Sequence, residues 1–264
     1  MMIKFRPNGI IVGGICWNVL TENRLNNELA LDSYGYKVYS QNDEDGIIQE
    51  IFKRIGSTNK IFVEFGVEDG LESNCHYLLH KDWSGLWIDG NSDNVSKIKD
   101  TFHPVIQSGN LQVKCAFITK DNINSLIREA GIIGEIDLLS IDIDGNDYYV
   151  WESIDVIKPR VVVIEYNGKF PPDYAWKMEY NPNHVWNGSD LYGASLKAYE
   201  RLGKKLGYKL VGTNVRGVNA FFVRSELTSD KFFEPSTSEA LYNPLRLDLQ
   251  WIASHPSVMC LKNR

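Results

Sequence analysis

Two stretches gather oxygen ligands at places where the chain is otherwise apolar. Ser140-Ile141-Asp142-Ile143-Asp144-Gly145-Asn146-Asp147 sets three carboxylates directly behind the run Ile136-Asp137-Leu138-Leu139. Glu165-Tyr166-Asn167 follows Val161-Val162-Val163-Ile164 with the same abruptness. Packed carboxylates repel one another and raise one another's pKa until a proton or a cation relieves them. Asp142 and Glu165 are hard oxygen ligands of the kind Mg²⁺ or Mn²⁺ takes, and Asn167 can add a neutral carbonyl oxygen. Two other readings stand beside this one. Glu165 can hydrogen-bond a substrate directly, and Asp147 can be the cap of a following helix with solvated neighbours.

A third stretch, Ile61-Phe62-Val63-Glu64-Phe65-Gly66-Val67-Glu68-Asp69-Gly70, has the form of a buried strand running into a glycine turn. Glu64 is the acid at the strand end; Gly66 and Gly70 let the turn tighten and approach a ligand. The spacing is not GxGxxG, because Glu68 stands where the middle glycine would be, so the dinucleotide fingerprint is unmet. A plain turn between strand and helix would carry the same glycines. Asp89 closes Gly85-Leu86-Trp87-Ile88-Asp89 at the tip of the next strand, about 20 residues beyond Gly70, where an acid can take both hydroxyls of a ribose. Phe117-Ile118-Thr119, at the end of a third strand, can flank an adenine ring, although a strand–helix junction explains it equally well.

These residues need a scaffold that brings strand ends together, and the sequence supplies one. Strands are expected over 61–65, 85–89, 111–118, 136–142 and 160–166. Helices are expected between them over 71–80, 92–102, 121–129 and 147–156. Regular alternation of this kind predicts a parallel sheet wrapped by helices, with right-handed crossovers. Ahead of it, Ile47, Ile48, Ile51, Phe52 and Ile55 recur at helical spacing and Gly56 stops the run. Residues 167–192 hold prolines, tyrosines and tryptophans with no period, a length at which loops tend to be functional. His184 lies in this loop with Tyr174, Trp176, Tyr180 and Trp186; these aromatics can stack on sugar faces or simply pack a lid. A helix is expected from Ser189 or Asp190 to about Lys205, then two strands near 207–212 and 220–223 joined as a hairpin. Residues 1–40 read as an N-terminal extension with a short helix near 23–30, residues 41–225 as the main domain, and residues 226–264 as a C-terminal extension packed on it.

The bulk numbers narrow the partners. The chain has 264 residues and a net charge of −6, without the basic face a nucleic-acid binder needs. The apolar run Ile10-Ile11-Val12-Gly13-Gly14-Ile15 is too short to span a membrane and lacks the flanks of a signal peptide. Cys16, Cys75, Cys115 and Cys260 are scattered, with no CxxC spacing, which favours core thiols in a reducing, cytoplasmic setting. Association with further copies of the chain stays open.

EFGVEDG, GLWIDGN, AFITKDNIN, DLLSIDIDGNDYYVW, PRVVVIEYN and GYKLVGTNVRGVNAFFVR together resemble class I S-adenosylmethionine-dependent methyltransferases. The resemblance is to an FkbM-related bacterial group associated with surface-polysaccharide genes, and it spans about residues 40–225. It implies an α/β, Rossmann-like sheet of seven strands with a terminal antiparallel hairpin and helices on both faces. It also implies O-methylation of a sugar, on a nucleotide-linked or surface-polysaccharide precursor, with S-adenosylmethionine as methyl donor. On that footing Glu64, Gly66, Gly70, Asp89, Ile118, Thr119 and Asp142 face the donor. Asp144, His184 and Asp142 are the catalytic candidates, with Asp144 or His184 as the base. Asp142, Glu165 and Asn167 are the metal candidates. A nucleotide-dependent dehydrogenase is the rival enzyme, and a non-catalytic cofactor-binding module in a glycan-synthesis complex is the rival without chemistry.

Overall fold

The computed structural model describes residues 23–246. The apolar run at 10–15, Cys16, Cys260 and the stretch from Leu247 onward lie outside the described residues. Seven strands form one sheet: β1 (Ile61–Phe65), β2 (Ser84–Asp89), β3 (Leu111–Cys115), β4 (Gly134–Ile141), β5 (Ile157–Glu165), β6 (Tyr208–Thr213) and β7 (Asn219–Arg224). Their order across the sheet is β3-β2-β1-β4-β5-β7-β6. The first five strands pair in parallel. β7 inserts antiparallel between β5 and β6. This is a Rossmann-like sheet of seven strands with an antiparallel closing hairpin. The chain reverses direction across the sheet between β1 and β4, and the crevice beyond the carboxyl ends of those strands is where an open α/β sheet binds ligands.

Apolar alternation explains why both faces are covered. Val63, Leu86, Ile88, Leu139, Ile141, Val162, Ile164 and Phe222 face one side. There they bury residues of α5 (Ile123–Glu129), α6 (Asp147–Ser153) and α7 (Leu196–Leu206). Phe62, Trp87, Leu138, Val161, Val163, Phe221 and Val223 face the other. Their cover is α1 (Glu44–Ile55), with Leu78 of α2 (His76–Leu79) and Ile98 of α3 (Ser92–Thr101). The short α4 (His103–Gln107), α8 (Ser225–Thr228) and α9 (Ser238–Leu241) complete the helices of the described residues. None of the described helices is long and apolar enough to cross a membrane.

Several boundaries differ from the sequence reading, each for a local reason. The helix expected over 71–80 shrinks to α2, because the Glu64 carboxylate takes the N–H groups of Asn74 and Cys75 before a helix can. β3 stops at Cys115, so Ile118 and Thr119 sit in the following loop. α7 starts at Leu196, where the Ser195 hydroxyl accepts the Ala198 N–H. Upstream, the backbone is tied to loop partners: Gly193 N–H to Gly145 O, and Ser195 N–H to Trp176 O. The helix expected near 23–30 is a single 3₁₀ turn, Asn23–Asn26.

At the amino end of the sheet the fully buried Asp137 accepts the N–H groups of Thr58, Asn59 and Lys60. It also pairs with the Arg160 guanidinium at 3.0 Å. This charge lies within the stretch read as an apolar strand, and it anchors the chain where it enters β1.

Candidate active site

At the carboxyl ends of the strands lies a cavity of about 990 Å³, at the upper end of the usual range for small-molecule sites. Its wall draws on the turn after β1, the tips of β2, β4 and β5, the loop after β3, residues 184–186 and the β6–β7 turn. Two close approaches build it. Gly66 has φ +68°, and a Cβ on it would lie 1.5 Å from the Asp142 carbonyl oxygen. Only glycine lets the turn after β1 press against the tip of β4 in this way. The Gly66 N–H also bonds the Ile88 carbonyl of β2 at 3.0 Å. Gly70 has a different task. It is outside the cavity wall, and a Cβ there would meet the Trp87 ring at 2.7 Å.

Asp89 ties the turn to β2. Its Oδ2 accepts the Glu68 N–H at 2.9 Å and its Oδ1 the Asn91 N–H at 2.8 Å. Each oxygen keeps acceptor capacity, and Asp89 lines the cavity. Asn91 in turn caps α3 with its side-chain oxygen. Glu64 is buried in the wall, and its carboxylate is engaged by three donors: the N–H groups of Asn74 (2.8 Å) and Cys75 (3.2 Å) and the Trp87 indole (2.9 Å). Burial raises its pKa and those bonds oppose the rise. Ile118 lines the cavity, whereas Thr119 does not; the Thr119 N–H is held by the Asn122 side chain.

The acids at the tips of β4 and β5 converge. Asp142, Asp144 and Glu165 each offer an oxygen, and the three oxygens lie within 4.8 Å of one another. Burial, and then the neighbouring carboxylates, push Asp142 and Glu165 well above the usual carboxylate range. Asp144 is raised mainly by burial and pulled back by His184. The Glu165 Oε2 is buried without a hydrogen-bond partner. Asp147 does not share this cluster. Its oxygens accept the N–H groups of Ile143 and Gly145, both at 2.8 Å, and so fold the loop that carries Asp144. Burial pushes Asp147 up to about 6 against those bonds.

Asn167 is not brought to the carboxylates. It is buried outside the cavity wall, with its NH₂ on the carbonyls of Asp190 and Tyr192 and its oxygen on the Lys169 N–H. It clamps the end of the long loop. From that loop His184, Val185, Trp186 and Tyr192 reach the cavity. The His184 ring covers Gly145 and sits with Nε2 3.2 Å from the Asp144 carbonyl oxygen. Trp176 stacks on Phe170 at 4.4 Å and Tyr174 on the same ring at 5.9 Å, away from the wall. Tyr180 packs on Tyr149 instead.

Residues that the sequence reading passed over also line the cavity, among them Asn74, Lys169, Tyr192, Arg216 and Asn219. One signal was available for Asn219. It is the polar first residue of Asn-Ala-Phe-Phe-Val, and it mirrors Glu165 at the end of Val-Val-Val-Ile-Glu.

No protein-family model and no curated protein sequence matches this chain. Solved structures do. The N-terminal domain of EvdMO1 with SAH bound is similar at 11% identity and a TM-score of 0.44, over 69% of this chain and 79% of that one. TrmK of M. capricolum in complex with S-adenosyl-homocysteine is similar at 10% identity and 0.43, over 82% and 81%. An S-adenosylmethionine-dependent methyltransferase from Clostridium acetobutylicum is similar at 12% and 0.41, over 68% and 89%. Likeness at this level transfers no residue role and no substrate.

Proposed function

We propose that this chain is an S-adenosylmethionine-dependent O-methyltransferase acting on a sugar hydroxyl, on a nucleotide-linked sugar or a surface-polysaccharide precursor. One observation carries the reading: a single cavity is walled by both Gly66 and Asp89 and by Asp142, Asp144, Glu165 and His184. A donor-holding turn and a set of acids able to handle an acceptor hydroxyl therefore share one chamber.

The donor half consists of Asp89 for the ribose hydroxyls, Ile118 with Phe117 for the adenine, and the Gly66 turn with Asp142 for the methionine end. Glu64 and Gly70 act behind this surface, Glu64 by fixing residues 74–75 and Gly70 by admitting the Trp87 ring. When bound, S-adenosylmethionine supplies an electrophilic methyl group on a sulfonium. Holding that methyl in line with the acceptor oxygen supplies much of the rate through orientation.

The acceptor must lose a proton as it attacks, and His184 and Asp144 are the groups at hand. A carbonyl oxygen only accepts, so contact with Asp144 O assigns the proton to Nε2 of His184 and leaves Nδ1 as the basic nitrogen. Without a cation the raised Asp144 carboxyl is a better base than an ordinary aspartate; with a cation on it, His184 is the base. Asp142, Asp144 and Glu165 fit a divalent cation, Mg²⁺ or Mn²⁺: all are oxygen donors, they crowd one another, and Glu165 keeps an oxygen without a partner. A cation there would lower the pKa of a sugar hydroxyl. Trp186 and Tyr192 give the sugar apolar faces to rest on.

Calorimetry with S-adenosylmethionine and with NAD is the first test. Binding of the former alone is expected; binding of NAD alone would move the reading to a dehydrogenase, and binding of neither would sink both. Transfer of label from S-adenosylmethionine to a panel of nucleotide sugars, followed by product mass, tests the acceptor. Activity is expected to vanish on exhaustive chelation and in Asp142→Ala. Full activity in both would remove the cation from the mechanism.

A further inference from the structure

Asn219 stands directly opposite Glu165 in the antiparallel pair of β5 with β7. Directly opposed residues project their side chains from the same face of a sheet. Asn219 is 3% exposed and lines the same cavity as Asp142, Asp144 and Glu165. Its orientation is fixed from α1. The Asn219 Nδ2 donates to Glu44 Oε1 at 2.9 Å. Glu44 also accepts from the Asn214 and Asn42 side chains and from the Asn42 N–H. A residue that gathers so many N–H donors accepts the NH₂ end of Asn219, so the amide carbonyl must point the other way.

That carbonyl oxygen, Asn219 Oδ1, is buried and has no hydrogen-bond partner. Neither has Glu165 Oε2 across the strand pair. Two buried acceptors left bare on one wall are costly unless something positive or donating fills the space between them. A sugar hydroxyl could donate to one of them and a water to both, whereas a divalent cation would also draw in the Asp142 and Asp144 oxygens that lie beside Glu165.

The geometry points to Asn219 as the fourth protein ligand, through Oδ1, of a divalent cation held by Asp142, Asp144 and Glu165. The inference rests on the cation proposed above and assigns a ligand that replaces Asn167, whose amide is committed to the loop. A neutral fourth ligand suits the charge count. Three carboxylates already exceed a 2+ ion, and another would add repulsion, whereas an amide oxygen adds coordination without charge. An all-oxygen set favours Mg²⁺ or Mn²⁺ over Zn²⁺.

The test uses the full chain and Mn²⁺ alone, followed by the resonance signal of the free ion, with S-adenosyl-homocysteine binding measured in parallel. Wild type is expected to bind one Mn²⁺. Asn219→Ala is expected to weaken it by at least about 10-fold, in the range found when groups supporting a metal site are lost, while S-adenosyl-homocysteine binding stays near wild type. Unchanged Mn²⁺ affinity in Asn219→Ala overturns the assignment. So does a wild type that binds S-adenosyl-homocysteine but no Mn²⁺, which leaves methyl transfer standing. Mn²⁺ binding that depends on Asn219 without any S-adenosyl-homocysteine binding supports the ligand and sinks the transferase instead. Should Asn219→Ala fail to fold, anomalous diffraction from Mn²⁺-soaked wild-type crystals decides. A peak within roughly 2.0–2.6 Å of Asn219 Oδ1, the span of Mg²⁺ and Ca²⁺ bonds to oxygen, supports the assignment, and a more distant peak overturns it.

Discussion

Replacing Gly66 with alanine tests the joint on which both halves of the cavity depend. The new Cβ would stand 1.5 Å from the Asp142 carbonyl oxygen and 2.7 Å from its carbon, where real Cβ contacts lie beyond 3.0 Å. Either the turn or the tip of β4 must therefore retreat by about 1.5 Å, the shortfall against that floor. The left-handed φ of +68° adds about 1–2 kcal/mol for any residue with a Cβ. Overpacking adds about 1–3 kcal/mol, so a loss of roughly 2–5 kcal/mol is expected in urea unfolding. The functional loss should be larger than stability alone implies. Asp142 belongs to the carboxylate cluster, and a displacement near 1 Å can cost on the order of 100-fold in rate. Gly70→Ala is the control. It has a similar φ of +77°, but its Cβ would press on the Trp87 and Phe102 rings, away from the acids. It should lose stability while the folded fraction keeps its methyl-transfer rate per molecule. If Gly66→Ala keeps wild-type stability, or loses stability as Gly70→Ala does with its rate intact, the turn and the β4 tip are not coupled as described.

Three further outcomes can be measured. Asp137→Ala strands the buried Arg160 guanidinium and three backbone N–H groups; a loss of about 3–5 kcal/mol in denaturant unfolding is expected, and a loss below 1 kcal/mol would contradict it. Glu64→Gln turns an NH₂ toward one of three buried donors and should cost about 1–3 kcal/mol, with the Trp87 fluorescence reporting the change. Stability in chelator should fall as pH rises. Asp142, Glu165 and Asp147 have folded pKa values above their unfolded ones, so their contribution is full below the ordinary carboxylate range and is lost as pH climbs through the folded values. For Asp147, raised from 3.8 to about 6, this is about 3 kcal/mol, most of it gone by pH 7. Melting temperatures from pH 4 to 8 should decline more steeply in wild type than in Asp142→Asn/Glu165→Gln. That difference separates these acids from His76, whose lowered pKa works in the opposite sense. Equal slopes would mean that the acids are not strained.

Much of the fold is legible in the sequence because it follows from local periodicity. The runs Ile-Phe-Val, Gly-Leu-Trp-Ile and Val-Val-Val-Ile have the length and composition of buried strands, and their alternation with helical segments predicts parallel pairing. The closing hairpin follows from a link between β6 and β7 too short for a crossover. The abrupt acids Asp89, Asp142 and Glu165 mark the strand tips for the same reason: each ends an apolar run. What the sequence leaves undecided is which polar atoms remain available. Glu64, Asp147 and Asn167 look as well suited to chemistry as Asp142 and Glu165, but Glu64 is taken by Asn74, Cys75 and the Trp87 indole, Asp147 folds back on the loop just before it, and Asn167 spends its NH₂ on the carbonyls of Asp190 and Tyr192. Asn219 reads as an ordinary strand residue until β7 is paired with β5 and Glu44 of α1 takes its NH₂. Periodicity is a property of neighbours in the chain, so sequence determines the strands, their tips and the acids at them. Hydrogen-bond partners can lie far apart in the chain, so only the tertiary structure decides which of those oxygens are committed to holding the fold and which face the cavity free.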